Sequence, residues 1–153
     1  MIKLLFALIG TLVLLSTGVS GTDDAGREWL EQKSREEGVV TLPSGLMYKE
    51  IRAGSGKTPG LDHPCECHYQ GTLIDGTEFD SSYKRGKTIT FSPKQVIKGW
   101  TEAMQIMQEG GIWELYIPSE LGYGKRGAGE VIPGNAALQF KLELVKVLEA
   151  KEL

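Results

Sequence analysis

The stretch that decides the fold is CECHYQGTLIDGTEFD, residues 65–80. Its first half alternates between two faces of an extended chain, with Cys65, Cys67 and Tyr69 on one and Glu66, His68 and Gln70 on the other. Asp75-Gly76 is a hairpin turn signal, and residues 77–80 follow as a second strand. The stretch therefore predicts an antiparallel β-hairpin with one buried face.

The rest of the chain adds strands to this hairpin and one helix. Strand signals recur at residues 39–41, 46–51, 88–91, 112–117 and 138–144. Helical spacing begins at Trp100 and continues through Ala103, Met104 and Met107, and Gly110-Gly111 predicts its end. We expect an α+β domain, an antiparallel β-sheet of about five strands wrapped across one short α-helix.

Length and charge narrow the class of protein. The chain has 153 residues, which fits one domain plus tails, and its hydrophobic content of 41% is that of a globular core. The net charge is -3 and the pI about 5.5. This balance gives no electrostatic footprint for nucleic acid or for an anionic membrane.

The amino-terminal residues are typical of a secretory signal. Lys3 precedes an apolar run at residues 4–15, and small residues follow up to Gly21. A membrane span needs about 20 apolar residues, so we predict a signal peptide at residues 1–21, cut after Ser20 or Gly21. An uncleaved anchor is the alternative.

Residues 22–41 form a charged extension. They predict a short, loosely docked helix that ends at Gly38, with Arg27 and Glu31 spaced for an ion pair; a frayed tail is the alternative. Apolar heptads are absent from this segment, so we expect a monomer.

Five side chains between residues 62 and 68 include thiol and imidazole groups that bind zinc or copper: Asp62, His63, Cys65, Cys67 and His68. The strand alternation sends His68 to the face opposite both thiols, and no second cluster completes four ligands. We predict strand and core residues without a metal or an internal disulfide. A metal-binding protein is a minor alternative.

Aromatic and aliphatic residues with a single acid, Asp80, recur from Tyr69 to Phe140. No Ser/His/Asp set and no phosphate-binding glycine loop accompanies them. An apolar hole of this kind suits a reaction that breaks no bond, and rotation about a prolyl peptide bond is the candidate. Taken alone, Asp80 is more typical of a turn aspartate that caps a local N–H. Beside the aromatic residues, its carboxylate could instead bond neighbouring hydroxyls or a basic side chain such as Lys84 or Arg85.

Residues 42–149 resemble the FKBP-type peptidyl-prolyl isomerases. The motifs are His68-Tyr69-Gln70-Gly71, residues 75–82, residues 95–100, residues 117–124 and residues 132–136. Residues 38–48 are similar to the macrophage infectivity potentiator branch, and residues 117–127 with the carboxyl terminus to small endoplasmic-reticulum members. The tail at residues 150–153 shares its final Glu-Leu with the retrieval signal.

The resemblance implies a site without cofactor or metal. It assigns catalytic positions to Tyr69, Phe79, Asp80, Ile97, Trp100, Tyr123 and Phe140. It assigns substrate or inhibitor contacts to Ile89, Phe91, Val96, Val131 and Ile132. Ile89 stands where many members have Phe, and Ala128 where some have His.

The function implied is X–Pro isomerisation in client proteins of the secretory pathway, in the endoplasmic reticulum lumen rather than outside the cell. The implied partners are proline-containing peptides, folding clients and the macrolides tacrolimus and rapamycin. A non-catalytic proline-peptide-binding or chaperone module is the alternative.

Overall fold

A computed structural model describes residues 21–150 of the chain. The α-helices are α1 Asp24–Ser34, α2 Ser82–Arg85 and α3 Lys98–Met104, with 3-10 turns at Pro93–Gln95 and Ser119–Leu121. The strands are β1 Val39–Thr41, β2 Met47–Arg52, β3 Cys65–Leu73, β4 Glu78–Ser81, β5 Ile89–Phe91, β6 Ile112–Ile117 and β7 Leu138–Val147. The predicted signal up to residue 20 and the last three residues of the tail lie outside the described residues.

The α+β prediction is confirmed. The strands form one antiparallel sheet in the order β1-β2-β6-β7-β3-β4, and β5 also pairs with β3. Within residues 21–150 the sheet has seven strands, against an expected number of about five. The additional strands include β1 and β5, which are 3 residues each and lie at the strand signals of residues 39–41 and 88–91.

Helix α3 packs against one face of the sheet. Its side chains Trp100, Ala103 and Met104 share the buried core with alternate residues of β3, β6 and β7. The helix begins at Lys98 and ends at Met104, earlier than Gly110-Gly111 predicted. Met107 is nevertheless 0% exposed, because the turn after the helix keeps it on the core side.

Strand β3 is long enough to pair with two short strands along the same edge. Cys65 to Cys67 face β5, and residues 70–72 face β4. Between them, the Ser82 hydroxyl accepts a bond from Tyr69 N at 2.7 Å and donates to Tyr69 O at 3.2 Å. The Ser82 side chain thus satisfies the Tyr69 backbone N–H and C=O in the gap between β5 and β4.

Helix α1 covers the opposite face of the sheet. Trp29 packs edge-on against Tyr116, with ring centroids 5.7 Å apart, and Tyr116 is 1% exposed. The helix ends at Ser34 rather than Gly38, and Gly26 is its one buried residue. Arg27 pairs with Asp24 instead of Glu31, which pairs with Arg35.

Both cysteines are free and lie in the core, as the strand alternation predicted. Burial raises the pKa of the Cys65 thiol to about 11 and raises that of Cys67 further. Within residues 21–150, no helix is long and apolar enough to cross a membrane.

Candidate functional site

A cavity of about 410 Å³ opens where β3, β4, β5, α3 and the loop after β6 meet. Its walls are mainly aromatic and aliphatic: Tyr69, Phe79, Asp80, Phe91, Gln95, Val96, Ile97, Trp100, Tyr123 and Phe140. A cavity of this size and lining fits a few side chains of a peptide or a small apolar molecule.

Trp100 forms the floor of the cavity. It is 4% exposed, and its ring lies 5.2 Å from that of Tyr69, 5.3 Å from Phe91 and 5.1 Å from Phe140, centroid to centroid. The indole N–H has no acceptor among the described residues. The floor is therefore packed against three aromatic rings, and it contains one buried donor without a partner.

Gly71 lets the two phenylalanines close one wall. It lies opposite both Asp80 on β4 and Phe140 on β7. A Cβ atom at this position would lie 2.5 Å from Phe79 Cζ and 2.8 Å from Phe140 Cε1. Because the glycine has no side chain, the Phe79 and Phe140 rings meet edge-to-face at 5.5 Å.

The single acid of the cavity has both oxygens engaged. The Tyr69 hydroxyl donates to Asp80 Oδ2, the Arg85 guanidinium pairs with Asp80 Oδ1, and Arg85 Nη2 also donates to Tyr69 Oη at 3.0 Å. Burial alone would raise the pKa of Asp80, but the two donors outweigh burial and hold the pKa below its ordinary value. The carboxylate is thus ionised near neutral pH and is a poor proton acceptor.

Two further polar groups lie at the mouth. Tyr123 is 39% exposed, and burial together with the charge of Asp80 raises the pKa of its hydroxyl, which keeps its proton near neutral pH. Ile97 is the N-cap of α3, so its N–H precedes the helical hydrogen bonds, and no acceptor within residues 21–150 takes it. Both groups are donors available to a bound carbonyl.

Helix capping fixes the Ile97 rim. The Ser92 N–H donates to Gln95 Oε1 at 2.9 Å, which closes a capping box around Pro93–Gln95. Thr101 Oγ1 donates to Pro93 O at 2.6 Å, which ties α3 to the same turn. Gln95, Val96 and Ile97 are therefore presented in a fixed order along the cavity.

Three residues that the resemblance assigned to substrate contacts do not line this cavity. Ile89 is 38% exposed on β5, and Val131 is 58% exposed at a loop tip. Ile132 is 5% exposed in the core, and its N–H donates to Ala128 O at 3.1 Å. Their roles, like those of the residues that do line the cavity, stay predictions.

Conversely, Gly71 and Gln95 belong to the site although the sequence predicted no site role for them, whereas Arg85 is one of the two basic side chains expected to bond Asp80. Arg85 follows Asp80 by five positions, the spacing that a turn of α2 brings together. The sequence alone does not show which of Lys84 and Arg85 turns inward; in the structure Arg85 pairs with Asp80 and Lys84 with Glu78.

The side chains considered for a metal are dispersed. His63 Nδ1 accepts from Gly60 N at 2.8 Å, while His68 stacks on Tyr83 and lies 2.9 Å from Ser82 Oγ. In the described part of the chain, no group of three or more His, Cys, Asp or Glu residues gathers in a metal-binding geometry.

Comparison with known proteins gives a consistent family. A family model described as FKBP-type peptidyl-prolyl cis-trans isomerase matches residues 55–145. A macrophage infectivity potentiator of Trypanosoma cruzi is 52% identical over 123 residues, covering 80% of this chain and 63% of that protein. A peptidyl-prolyl cis-trans isomerase Mip of Coxiella burnetii is 48% identical, covering 81% of this chain and 54% of that protein.

Solved structures agree with the fold. FkpA of Escherichia coli superposes with a TM-score of 0.78 at 42% identity, covering 82% of this chain and 59% of that one. A peptidyl-prolyl cis-trans isomerase of Pseudomonas syringae superposes with a TM-score of 0.76 at 36% identity, covering 82% and 92%. The chain spans 54% to 63% of the length of the two curated relatives described above.

Proposed function

Because the chain belongs to the FKBP-type peptidyl-prolyl cis-trans isomerase family, we propose that it accelerates rotation about X–Pro peptide bonds in proteins of the secretory pathway. The observation that supports this best is the cavity itself. Its floor and walls are aromatic, and its one carboxylate is already held by Tyr69 and Arg85. Such a site can bind and desolvate a proline but has no free base.

The chemistry requires no base. Rotation passes a barrier of about 18–20 kcal/mol that amide resonance imposes, and water stabilises the planar, polar amide. A dry aromatic pocket removes that stabilisation while it accommodates the twisted, less dipolar amide. Catalysis is then differential binding of the twisted form, and no proton leaves the substrate.

We assign the polar roles from the free donors. The Ile97 N–H and the Tyr123 hydroxyl hold peptide carbonyls at the mouth while the bond turns, and Asp80 supplies a fixed negative field on one wall. Tyr69 acts with Asp80 as one unit, because its hydroxyl is bonded to that carboxylate. Trp100, Phe79 and Phe140 hold the proline ring.

The remaining assigned residues act on the neighbours of the proline. Phe91 and Val96 line the cavity and favour an apolar residue before the proline. A client chain continues beyond the cavity, and we assign the exposed apolar side chains Ile89 and Val131 to that continuation. Ile132 supports the loop from the core. Tacrolimus and rapamycin would occupy the same cavity as competitive inhibitors.

Cis–trans exchange of short X–Pro peptides, followed by NMR without a coupled protease, tests the proposal. Residues 22–153 should exchange peptide faster than the spontaneous rate, and rapamycin should abolish the gain. A non-catalytic proline-binding module is the rival. It would bind the peptide and the macrolide but leave the exchange rate at its spontaneous value, in protein shown to be folded by circular dichroism.

The secretory assignment rests on the signal predicted at residues 1–21, and a relative from Legionella longbeachae is named an outer membrane protein. The narrower assignment to the endoplasmic reticulum lumen rests on the tail at residues 150–153 alone. Deletion of that tail should increase secretion if the tail is read for retrieval. We propose a monomer of residues 22–153, with the isomerase domain at 42–149, and light scattering measures its mass.

A further inference from the structure

Thr22 is buried although it lies next to the predicted cleavage point. It is 2% exposed, and its hydroxyl is surrounded by groups 97 or 98 positions away. Thr22 Oγ1 accepts from Ser119 N at 3.0 Å, donates to Glu120 Oε2 at 3.0 Å and lies 3.2 Å from Ser119 Oγ. The N-cap of α1 is Asp23, so these contacts of Thr22 are not needed to cap the helix.

A second set of hydrogen bonds starts from Asp23; together with those of Thr22 we call it the amino-terminal strap. Asp23 N donates to Asn135 O at 2.9 Å, Asn135 N donates to Gly124 O at 2.8 Å, and Gly124 N donates to Ser119 O at 2.9 Å. Asn135 adopts the left-handed region, with φ 63°, which these bonds help to hold. Residues 22 and 23 therefore bind both ends of the loop of residues 119–135.

This loop carries Tyr123, which lines the mouth of the cavity. Tyr123 is flanked by Gly122 and Gly124, so the chain around it has little stiffness of its own. Its position depends on the ends of the loop. The amino-terminal strap is thus a physical route from residue 22 to the site.

The backbone N of Thr22 lies 3.2 Å from Glu120 Oε1. In the uncleaved chain this nitrogen is a peptide amide and donates one neutral hydrogen bond. Cleavage of the peptide bond after Gly21 would turn the same nitrogen into a charged α-ammonium group. Three neighbouring charged side chains have contacts of their own: Arg27 Nη1 donates to Thr22 O at 2.9 Å, Asp23 Oδ1 accepts from Gly26 N, and Asp24 pairs with Arg27.

We propose that Thr22 is the first residue of the mature chain, that its α-ammonium pairs with Glu120, and that this pair positions the Tyr123 loop. Leader removal thereby completes the mouth of the site. Thr22 and Glu120 are positioning residues. Only the effect on turnover rests on the proposed isomerase function; the ion pair and the ordering of the loop do not.

Four proteins test the pair: residues 22–153 with a free amino terminus and residues 20–153, each with and without Glu120→Gln. Glutamine keeps the size and one acceptor oxygen but removes the charge. NMR titration of the α-amine in residues 22–153 should give a pKa about one pH unit higher with Glu120 present, because a nearby carboxylate favours the ammonium form. Equal pKa values in both proteins would overturn the pairing.

Hydrogen exchange tests the ordering of the loop. The Gly124 and Asn135 amides close the strap, so they should exchange about fivefold faster in residues 20–153 or with Glu120→Gln. The two changes together should give no further increase, since both remove the same interaction. Additive effects, or no effect, would refute the coupling.

Turnover provides the functional readout. Either change should lower kcat/KM about threefold, and the combination should lower it no more. Thr22→Ser keeps the hydroxyl and should retain the rate, whereas Thr22→Val should lower it. Glu36→Gln, at an exposed carboxylate paired with Lys33, is the control and should change nothing. If no protein turns over peptide, the isomerase proposal fails while the titration and exchange results still decide the strap.

Discussion

Replacement of Asp80 by asparagine distinguishes two possible roles of the carboxylate, a fixed negative charge on the cavity wall and a general base. The carboxylate receives one bond from Tyr69 and one from Arg85, and its side chain is 39% exposed. A hydrogen bond to a charged group contributes about 1.5–3 kcal/mol, and a neutral one roughly half of that. Because asparagine keeps one acceptor oxygen and solvent screens the partly exposed charge, we expect a loss near the low end of that range.

Asp80→Asn should therefore raise the barrier by about 1.4 kcal/mol, which is a tenfold loss in kcat/KM. Protease-free NMR exchange on a short X–Pro peptide measures it. Asp62→Asn is the matched control, because Asp62 is also paired with a cation, Lys94, but has a side chain 72% exposed and lies outside the cavity lining.

A general base contributes about 10²–10⁴-fold, so a loss above a hundredfold would refute the desolvation mechanism. An unchanged rate would remove Asp80 from the mechanism altogether. In both cases urea denaturation has to show that the variant is folded, since the Tyr69–Asp80–Arg85 group also ties β4 to α2.

Three further expectations follow from the same geometry. Trp100→Ala should lower the free energy of unfolding in urea by about 3–5 kcal/mol, because a buried ring in contact with three others is lost, whereas Trp100→Phe should be milder because the indole N–H has no partner to lose. Turnover should be flat between about pH 6 and 8; Asp80 has a lowered folded pKa, so its contribution to stability is full above about pH 3.9 and is lost only as pH falls through the folded value. Cys65 and Cys67 should each take one alkylating label after denaturation without a reductant, and neither label in the native protein at pH 8, where a thiol of pKa about 11 is protonated.

Alternation was sufficient to place the central part of the fold. Strands β3, β4, β6 and β7 and the buried face of α3 follow from patterns that extend over several residues, and the structure confirms them. Strand signals also indicate the short strands β1 and β5. Their partners, β2 and β3, do not follow from those signals and are shown by the structure.

The residues that line the cavity could be predicted from the sequence, whereas the contacts that hold them in place could not. Nine of the positions that the family resemblance assigned to the site line the cavity. Gly71 contributes because it has no side chain, and Gln95 because it caps the turn at Pro93–Gln95. Hydrophobic periodicity indicates neither of these roles. The docking of Thr22 onto Ser119 and Glu120 spans most of the chain, so no local pattern could reveal it.

The central position of β7 in the sheet affects how the protein can fold during its synthesis. Of the strands within residues 21–150 this one comes last, yet it lies between β6 and β3 and contributes Phe140 to the cavity wall. A nascent chain that has emerged only to about residue 137 lacks the strand that joins the β1-β2-β6 half to the β3-β4 half. Its two halves would expose open edges. Assembly of the complete sheet must therefore wait until β7 is available to join the two halves.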